Sequence, residues 1–326
     1  MHLVPDAQAH DLVVEPIRKG FGRGLLAAAQ HDDNVVGCCA DLTESTAMNA
    51  FAEAFPTRFV EIGIGEQNLV TVGSGLAAQG KIPFVSSYAA FCPGRCWEQI
   101  RTTICLNNQP VKIVGSHAGV SVGPDGATHQ MLEDIAIMRV LPNMMVFAPA
   151  DSIEAEKITL AMAKNKHPNY IRLAREGTPV FTTAQTPFEI GKAYVYREGT
   201  DVTIIATGTM TYQAMVAAEK LAKDGISAEV VHVPTIKPLD EQTILTSVKK
   251  TGAVVTAEEG QIAGGLGGVI AELLAEQHPT PLVRIGMQDR YGESGEPNEL
   301  LAHFGLDAVH IAMASHHVLD KIISKQ

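Results

Sequence analysis

The chain has 326 residues, 46% of them hydrophobic and 19% charged, with a formal net charge of −11. At roughly 100–200 residues per domain this predicts about two buried cores, and the acidic balance argues against nucleic acid, whose phosphates need a basic face. The mainly apolar stretches, such as 111–114 around Lys112 and 202–206, are strand-sized and far short of the roughly 20 residues of a membrane span.

The first residues, Met1-His2-Leu3-Val4-Pro5-Asp6, carry neither the basic nor the apolar region of a secretion signal, so a cytoplasmic protein without a membrane partner is expected. Further along, β-branched runs predict strands at 35–38, 58–62, 83–86, 111–115, 145–147 and 170–173. Amphipathic stretches between them predict helices at 16–29, 66–79, 97–106, 130–140 and 152–164. The interval 176–189, with Gly177, Pro179, Thr182, Thr183, Thr186 and Pro187, has the composition of a linker. Beyond it the alternation restarts, with strands at 202–206, 228–233, 254–256 and 282–285 and helices at 212–223, 241–249 and 268–276. Strand and helix in turn are the signature of parallel sheets built from βαβ units, so the fold class is α/β in two domains, 1–185 and a smaller 186–326. Cys38, Cys39, Cys92, Cys96 and Cys105 have no zinc-site spacing and are expected as buried free thiols.

Two segments concentrate chemistry. The run from Gly115 through His117, Gly119, Gly123, Asp125 and Gly126 to His129 and Gln130 follows an apolar strand and precedes a helix. It therefore falls at the carboxyl end of a strand, where open α/β sheets bind ligands. Its glycines let backbone approach a ligand, and two imidazoles and a carboxylate supply hydrogen-bonding and proton-transfer groups. The second segment, Glu61-Ile62-Gly63-Ile64-Gly65-Glu66-Gln67-Asn68, runs from a strand into the first turn of a helix. Glu66 has two open readings there: a solvated carboxylate at the positive end of a helix dipole, or a group in an apolar pocket that shares a proton with a ligand nitrogen.

The stretches Ala40-Asp41-Leu42-Thr43, Gly63-Ile64-Gly65-Glu66 and Gly123-Pro124-Asp125-Gly126-Ala127-Thr128-His129-Gln130 resemble, in order and interval, the pyrimidine-binding domain of transketolases. Ala257-Glu258-Glu259-Gly260 and Gly264-Gly265-Leu266-Gly267 are similar to the C-terminal domain of the same family. The resemblance implies a pyrimidine domain, a parallel sheet with helices on both faces, followed by a smaller transketolase C-terminal-like α/β domain. It also implies thiamine diphosphate as cofactor. Glu66 would then be the acid that hydrogen-bonds the pyrimidine ring nitrogen and favours the imino form of the 4-amino group, while the cofactor supplies the carbanion chemistry.

By the same resemblance Tyr88 and Phe91 pack against the pyrimidine, although two core aromatics after a strand are an equally natural reading of the residues themselves. The third aromatic of that wall falls near Gly94, so the pocket is altered or filled by another group. Asp41 matches a residue close to the thiamine and the subunit contact. His117, Asp125 and His129 match sugar-facing positions, while Arg18, Ser45, His117 and Arg175 match those that meet the substrate phosphate. Paired guanidiniums suit phosphate oxygens, which lets an acidic protein bind sugar phosphates.

The sequence contains no Gly-Asp-Gly motif of the kind that binds metal and diphosphate in the family. The resemblance therefore implies the C-terminal subunit of a split, two-chain transketolase, serving the pentose phosphate pathway or the catabolism of branched and unusual sugars, without a metal site of its own. An N-terminal subunit would carry the diphosphate-binding domain and most ligands of a Mg²⁺ or Ca²⁺ ion, in an α2β2 heterotetramer. Three alternatives stand beside it: a deoxyxylulose-phosphate synthase, usually with arginine where His117 stands; a 2-oxo acid dehydrogenase β subunit, with a different loop in place of 125–130; and a non-catalytic regulatory homologue.

Overall fold

The structure, a computed structural model, describes residues 2–323. The apolar runs of the first half become a seven-stranded sheet in the order Thr235–Lys237, Met145–Phe147, Asn169–Arg172, Lys112–Ser116, Ile82–Tyr88, Val35–Cys39, Phe59–Glu61. All neighbours are parallel except Thr235–Lys237, which is antiparallel to Met145–Phe147. The runs read as continuously apolar because both faces are covered, and successive side chains point to opposite faces. Thus Val35, Phe84, Val114, Phe147 and Ile171 pack with helices Ile17–His31 and Ser152–Lys164. Their neighbours Val36, Val85, Ile113, Val146 and Tyr170 pack on the other side, where helix Glu66–Ala78 lies.

The second half forms a five-stranded sheet in the order Leu282–Met287, Val254–Gln261, Val202–Ala206, Ala228–His232, Tyr194–Arg197, parallel except at the Tyr194–Arg197 edge. Helices Met210–Lys223 and Ala308–Ile323 cover one face, and Glu241–Thr251 and Leu266–Gln277 the other. The five cysteines are free and buried.

Several segments depart from the sequence reading. Helix 97–106 forms as one α-turn, Trp97–Gln99, continued by wider π-type turns over Ile100–Cys105. Helix 130–140 contracts to Asp134–Arg139, because Gln130 is used to brace the loop before it. The expected linker contains strand Gly177–Pro179, paired antiparallel with Val14–Pro16. The strand Thr235–Lys237, from the second half of the chain, completes the first sheet, and Leu3, Val4, Ala7 and Leu12, from its beginning, pack on the second core. No helix of the described residues is long and apolar enough to cross a membrane.

Candidate active site

Strands 35–39, 59–61, 82–88 and 112–116 are parallel neighbours, so the turns that follow them emerge side by side at one sheet edge. Glu61, at the end of its strand, ties two of these turns together. Its Oε1 accepts the Asp41 and Gly63 amides at 2.8 Å each, and its Oε2 accepts the Thr43 hydroxyl at 3.1 Å. Asp41 itself is exposed, with φ +56°. Ser45 is half-buried in the same turn, and among the described residues its hydroxyl makes no hydrogen bond to the other candidate groups.

Glu66 opens helix Glu66–Ala78 and is only 2% exposed. Its Oε2 is 2.7 Å from Nη1 of Arg95, whose side chain is half exposed. The guanidinium carbon of Arg95 also lies 4.7 Å from the Phe91 ring centroid. The same guanidinium lies next to the position where a third aromatic was expected. Position 94 cannot hold a side chain, since a Cβ on Gly94 would come within 2.2 Å of the Ala90 carbonyl oxygen. The next residue, Arg95, instead places a flat cation against Phe91.

Tyr88 and Phe91 stack with centroids 6.0 Å apart, Tyr88 stacks on His117 at 3.9 Å, and His129 meets Phe91 edge-on at 5.3 Å. The two rings thus belong to one cluster with both histidines. His117 is 3% exposed, and its Nδ1 is 2.9 Å from the Ser116 hydroxyl. Burial, with the nearby charges of Arg18, Arg175 and His129, pulls its pKa down to about 3, so the imidazole is neutral at physiological pH. Nδ1 of His129 is 2.9 Å from the Thr128 hydroxyl.

Arg18 donates to the Arg175 carbonyl, and burial lowers its pKa. Arg175 donates to the Val122 carbonyl at 2.6 Å and has Asp125 at 3.8 Å and Glu176 at 3.5 Å. Glu66, Tyr88, Phe91, His117, Asp125, His129, Arg18 and Arg175 therefore form one connected surface at the strand ends, while Asp41 and Ser45 stand on the adjoining turn.

The second half of the chain holds this surface in place. Oε1 of Glu259 accepts the Ser121 amide at 2.7 Å and Oε2 the Thr209 hydroxyl at 3.0 Å. Gly119, with φ +92°, leaves room for that carboxylate, because a Cβ there would sit 2.2 Å from Oε1. Gln130 Nε2 donates to the carbonyls of Val120, Gly123 and Glu293 at 3.2, 3.1 and 2.9 Å. Arg95, Glu61 and Glu259 were given no role by sequence reasoning. Glu259 and Glu61 each carried a signal, their places in the Ala-Glu-Glu-Gly string and at the head of the segment 61–68, and Arg95 carried none. Among the described residues no three His, Cys, Asp or Glu side chains gather so as to hold a metal ion.

The two α/β units that meet at this surface each match a family model. Residues 16–180 match the transketolase pyrimidine-binding domain and residues 191–311 the transketolase C-terminal domain. A protein of Methanocaldococcus jannaschii described as a putative transketolase C-terminal section is 45% identical over 303 residues, covering 92% of this chain and 95% of that one. The 6-deoxy-6-sulfo-D-fructose transketolase subunit of a Clostridium species is 42% identical over 297 residues, covering 91% and 92%. A solved structure described as a split gene transketolase, inactive beta4 tetramer, superposes with a TM-score of 0.88 at 44% identity, covering 94% of this chain and 98% of that one. The chain belongs to the transketolase family, a thiamine-diphosphate family, and corresponds to the C-terminal subunit of its split, two-chain form.

Proposed function

We propose that this chain, joined to an N-terminal subunit, transfers a two-carbon ketol unit reversibly from a ketose phosphate to an aldose phosphate with thiamine diphosphate as cofactor. The observation that carries the reading is the placement of an almost fully buried carboxylate, Glu66, on the same strand-end surface as Phe91, His117 and the Arg18–Arg175 pair. That donor set fits the pyrimidine half of the cofactor: a carboxyl group for a ring nitrogen and an aromatic face for the ring. When bound, thiamine diphosphate supplies the carbon nucleophile that carries the two-carbon unit.

In this reading Glu66 shares a proton with the pyrimidine nitrogen, and Phe91 and Tyr88 wall the ring. His129 and the neutral His117 hydrogen-bond the sugar and move protons at its hydroxyls. Asp125 accepts from a donor hydroxyl. Arg18 and Arg175, with Ser45 and His117, hold the terminal oxyanion. Asp41 stands at the contact with the partner, whose diphosphate-binding domain holds the Mg²⁺ or Ca²⁺ ion in an α2β2 assembly. The chain divides at 185/186 into pyrimidine and C-terminal domains.

The terminal anion need not be a phosphate. One similar subunit is named for a sulfo-sugar, and two guanidiniums accept sulfonate oxygens as well as phosphate oxygens. The similar solved chain, an inactive beta4 tetramer, supports the expectation that this subunit alone does not turn over.

The test is a coupled assay with ribose 5-phosphate as acceptor and either xylulose 5-phosphate or 6-deoxy-6-sulfofructose as donor. It is run on the chain alone, on the two-chain mixture, and on the mixture with Glu66→Gln. Turnover only in the mixture, and a loss of at least about 100-fold in kcat for the variant with assembly intact, is expected. Turnover by the chain alone, or near-normal kcat with Glu66→Gln, contradicts the proposal.

A further inference from the structure

We propose that Arg95 is an internal stand-in for the pyrimidine ring, holding the pocket closed until the cofactor displaces it. The inference rests on the reading of this pocket given above and goes one step beyond it. Two contacts are assigned to the pyrimidine: the Glu66 carboxyl and an aromatic face. A single guanidinium now occupies both, 2.7 Å from Glu66 Oε2 and 4.7 Å from the Phe91 centroid. Guanidinium and an aminopyrimidine that has taken the shared proton are both flat, donate hydrogen bonds in their plane and stack on aromatic faces. Each therefore satisfies the same two groups, and they cannot stack on one face of Phe91 together.

The backbone beneath Arg95 is fixed while its tip is free to leave. The Arg95 amide donates to the Phe91 carbonyl at 2.9 Å, and the Gly94 amide to the Ala89 carbonyl at 3.2 Å. Cys92 and Cys96, on either side, are fully buried. The Arg95 side chain, by contrast, is half exposed and has solvent to swing into. No other cation bonds Glu66 among the described residues, and a bare carboxylate at 2% exposure would be an uncompensated buried charge. Arg95 supplies the compensation while the pocket waits, and the incoming ring takes it over.

Displacement must weaken cofactor binding by what the guanidinium gains from the pocket. A half-exposed ion pair and one cation–π contact are each modest, so their removal should tighten binding by about tenfold, which is about 1.4 kcal/mol. The experiment is calorimetric titration of thiamine diphosphate, with saturating Mg²⁺, into the two-chain complex carrying wild-type chain, Arg95→Met or Arg95→Lys. Expected is a Kd about tenfold lower for Arg95→Met, a smaller gain for Arg95→Lys, and a gap that narrows as NaCl rises, because salt screens the half-exposed pair.

If the wild-type complex binds and Arg95→Met binds equally or more weakly, Arg95 is a wall of the filled site and the inference fails. If the wild-type complex does not bind thiamine diphosphate at all, the reading of the pocket fails and this inference with it. Should Arg95→Met not assemble, a structure of the wild-type complex with cofactor decides. Arg95 still bonded to Glu66 there would overturn the proposal, and Arg95 turned out to solvent would support it.

Discussion

His117 has φ +57°, a left-handed conformation that few residues other than glycine and asparagine adopt, with its ring pressed 3.9 Å from Tyr88. Its pKa, lowered from 6.5 to about 3, ties stability to pH. Between those values the unfolded chain holds a proton that the folded one does not. Stability therefore rises with pH through this window, and the contribution is fully present above pH 6.5 and lost as pH falls toward 3. Asparagine tolerates the backbone angle and carries no titrating ring. Urea unfolding at pH 6.5 and 5.5 should therefore show wild type losing about 1 kcal/mol more than His117→Asn over that step. Equal losses would mean that the imidazole protonates in place. The motif made His117 legible as a candidate, but its neutrality was not, because burial, which mainly enforces it, and the arginines at positions 18 and 175, which add to it, arise only in the fold. Glu66 shows the same limit: both a solvated helix start and a buried acid fitted the sequence, and the fold buries it against Arg95.

At the scale of elements, parallel strands were the most legible feature, because covering both faces leaves unbroken apolar runs. Their ends were less so. Strand Lys112–Ser116 begins on a fully buried lysine, whose Nζ donates to the carbonyls of Asn165 and His167 at 2.7 and 2.9 Å and to Asn169 Oδ1 at 3.0 Å. Burial pulls its pKa down to about 7, and the amine fastens the strand to the turn that leads into Asn169–Arg172. Replacing it with methionine keeps the volume but takes the donor from three acceptors, one of them on buried Asn169, so Lys112→Met should lower unfolding free energy by about 1–3 kcal/mol in a denaturant titration. A loss below about 1 kcal/mol would mean that water fills the role. Helix Asp134–Arg139 starts late for a related reason: Asp134 is taken by Tyr170 Oη at 2.7 Å and Arg172 Nε at 3.0 Å, contacts that hydrophobic periodicity does not encode. The small strands 14–16, 177–179 and 235–237 were likewise invisible, since each exists only through its partner.

Across the whole molecule the two halves are interlocked. Thr235–Lys237 completes the first sheet, and His232 Nε2 lies 2.8 Å from Glu154 Oε2 in full burial. Glu259 reaches the glycine loop across 138 positions of sequence. This last contact ties the second half to the site surface: it holds the backbone at Ser121, between His117 and Asp125. A charged acceptor on a buried amide is worth about 1.5–3 kcal/mol, so Glu259→Ala should speed hydrogen exchange of the Ser121 amide by about 10–100-fold and, under the proposed function, raise KM for the ketose donor. Strand 112–116 should keep its protection, because the variant leaves its ladders intact. Glu259→Gln should fall between, since an amide oxygen still accepts from Ser121 but without the charge. Unchanged exchange at Ser121 in the alanine variant would assign the loop's order to Gln130 instead, whose amide already grips Val120, Gly123 and Glu293.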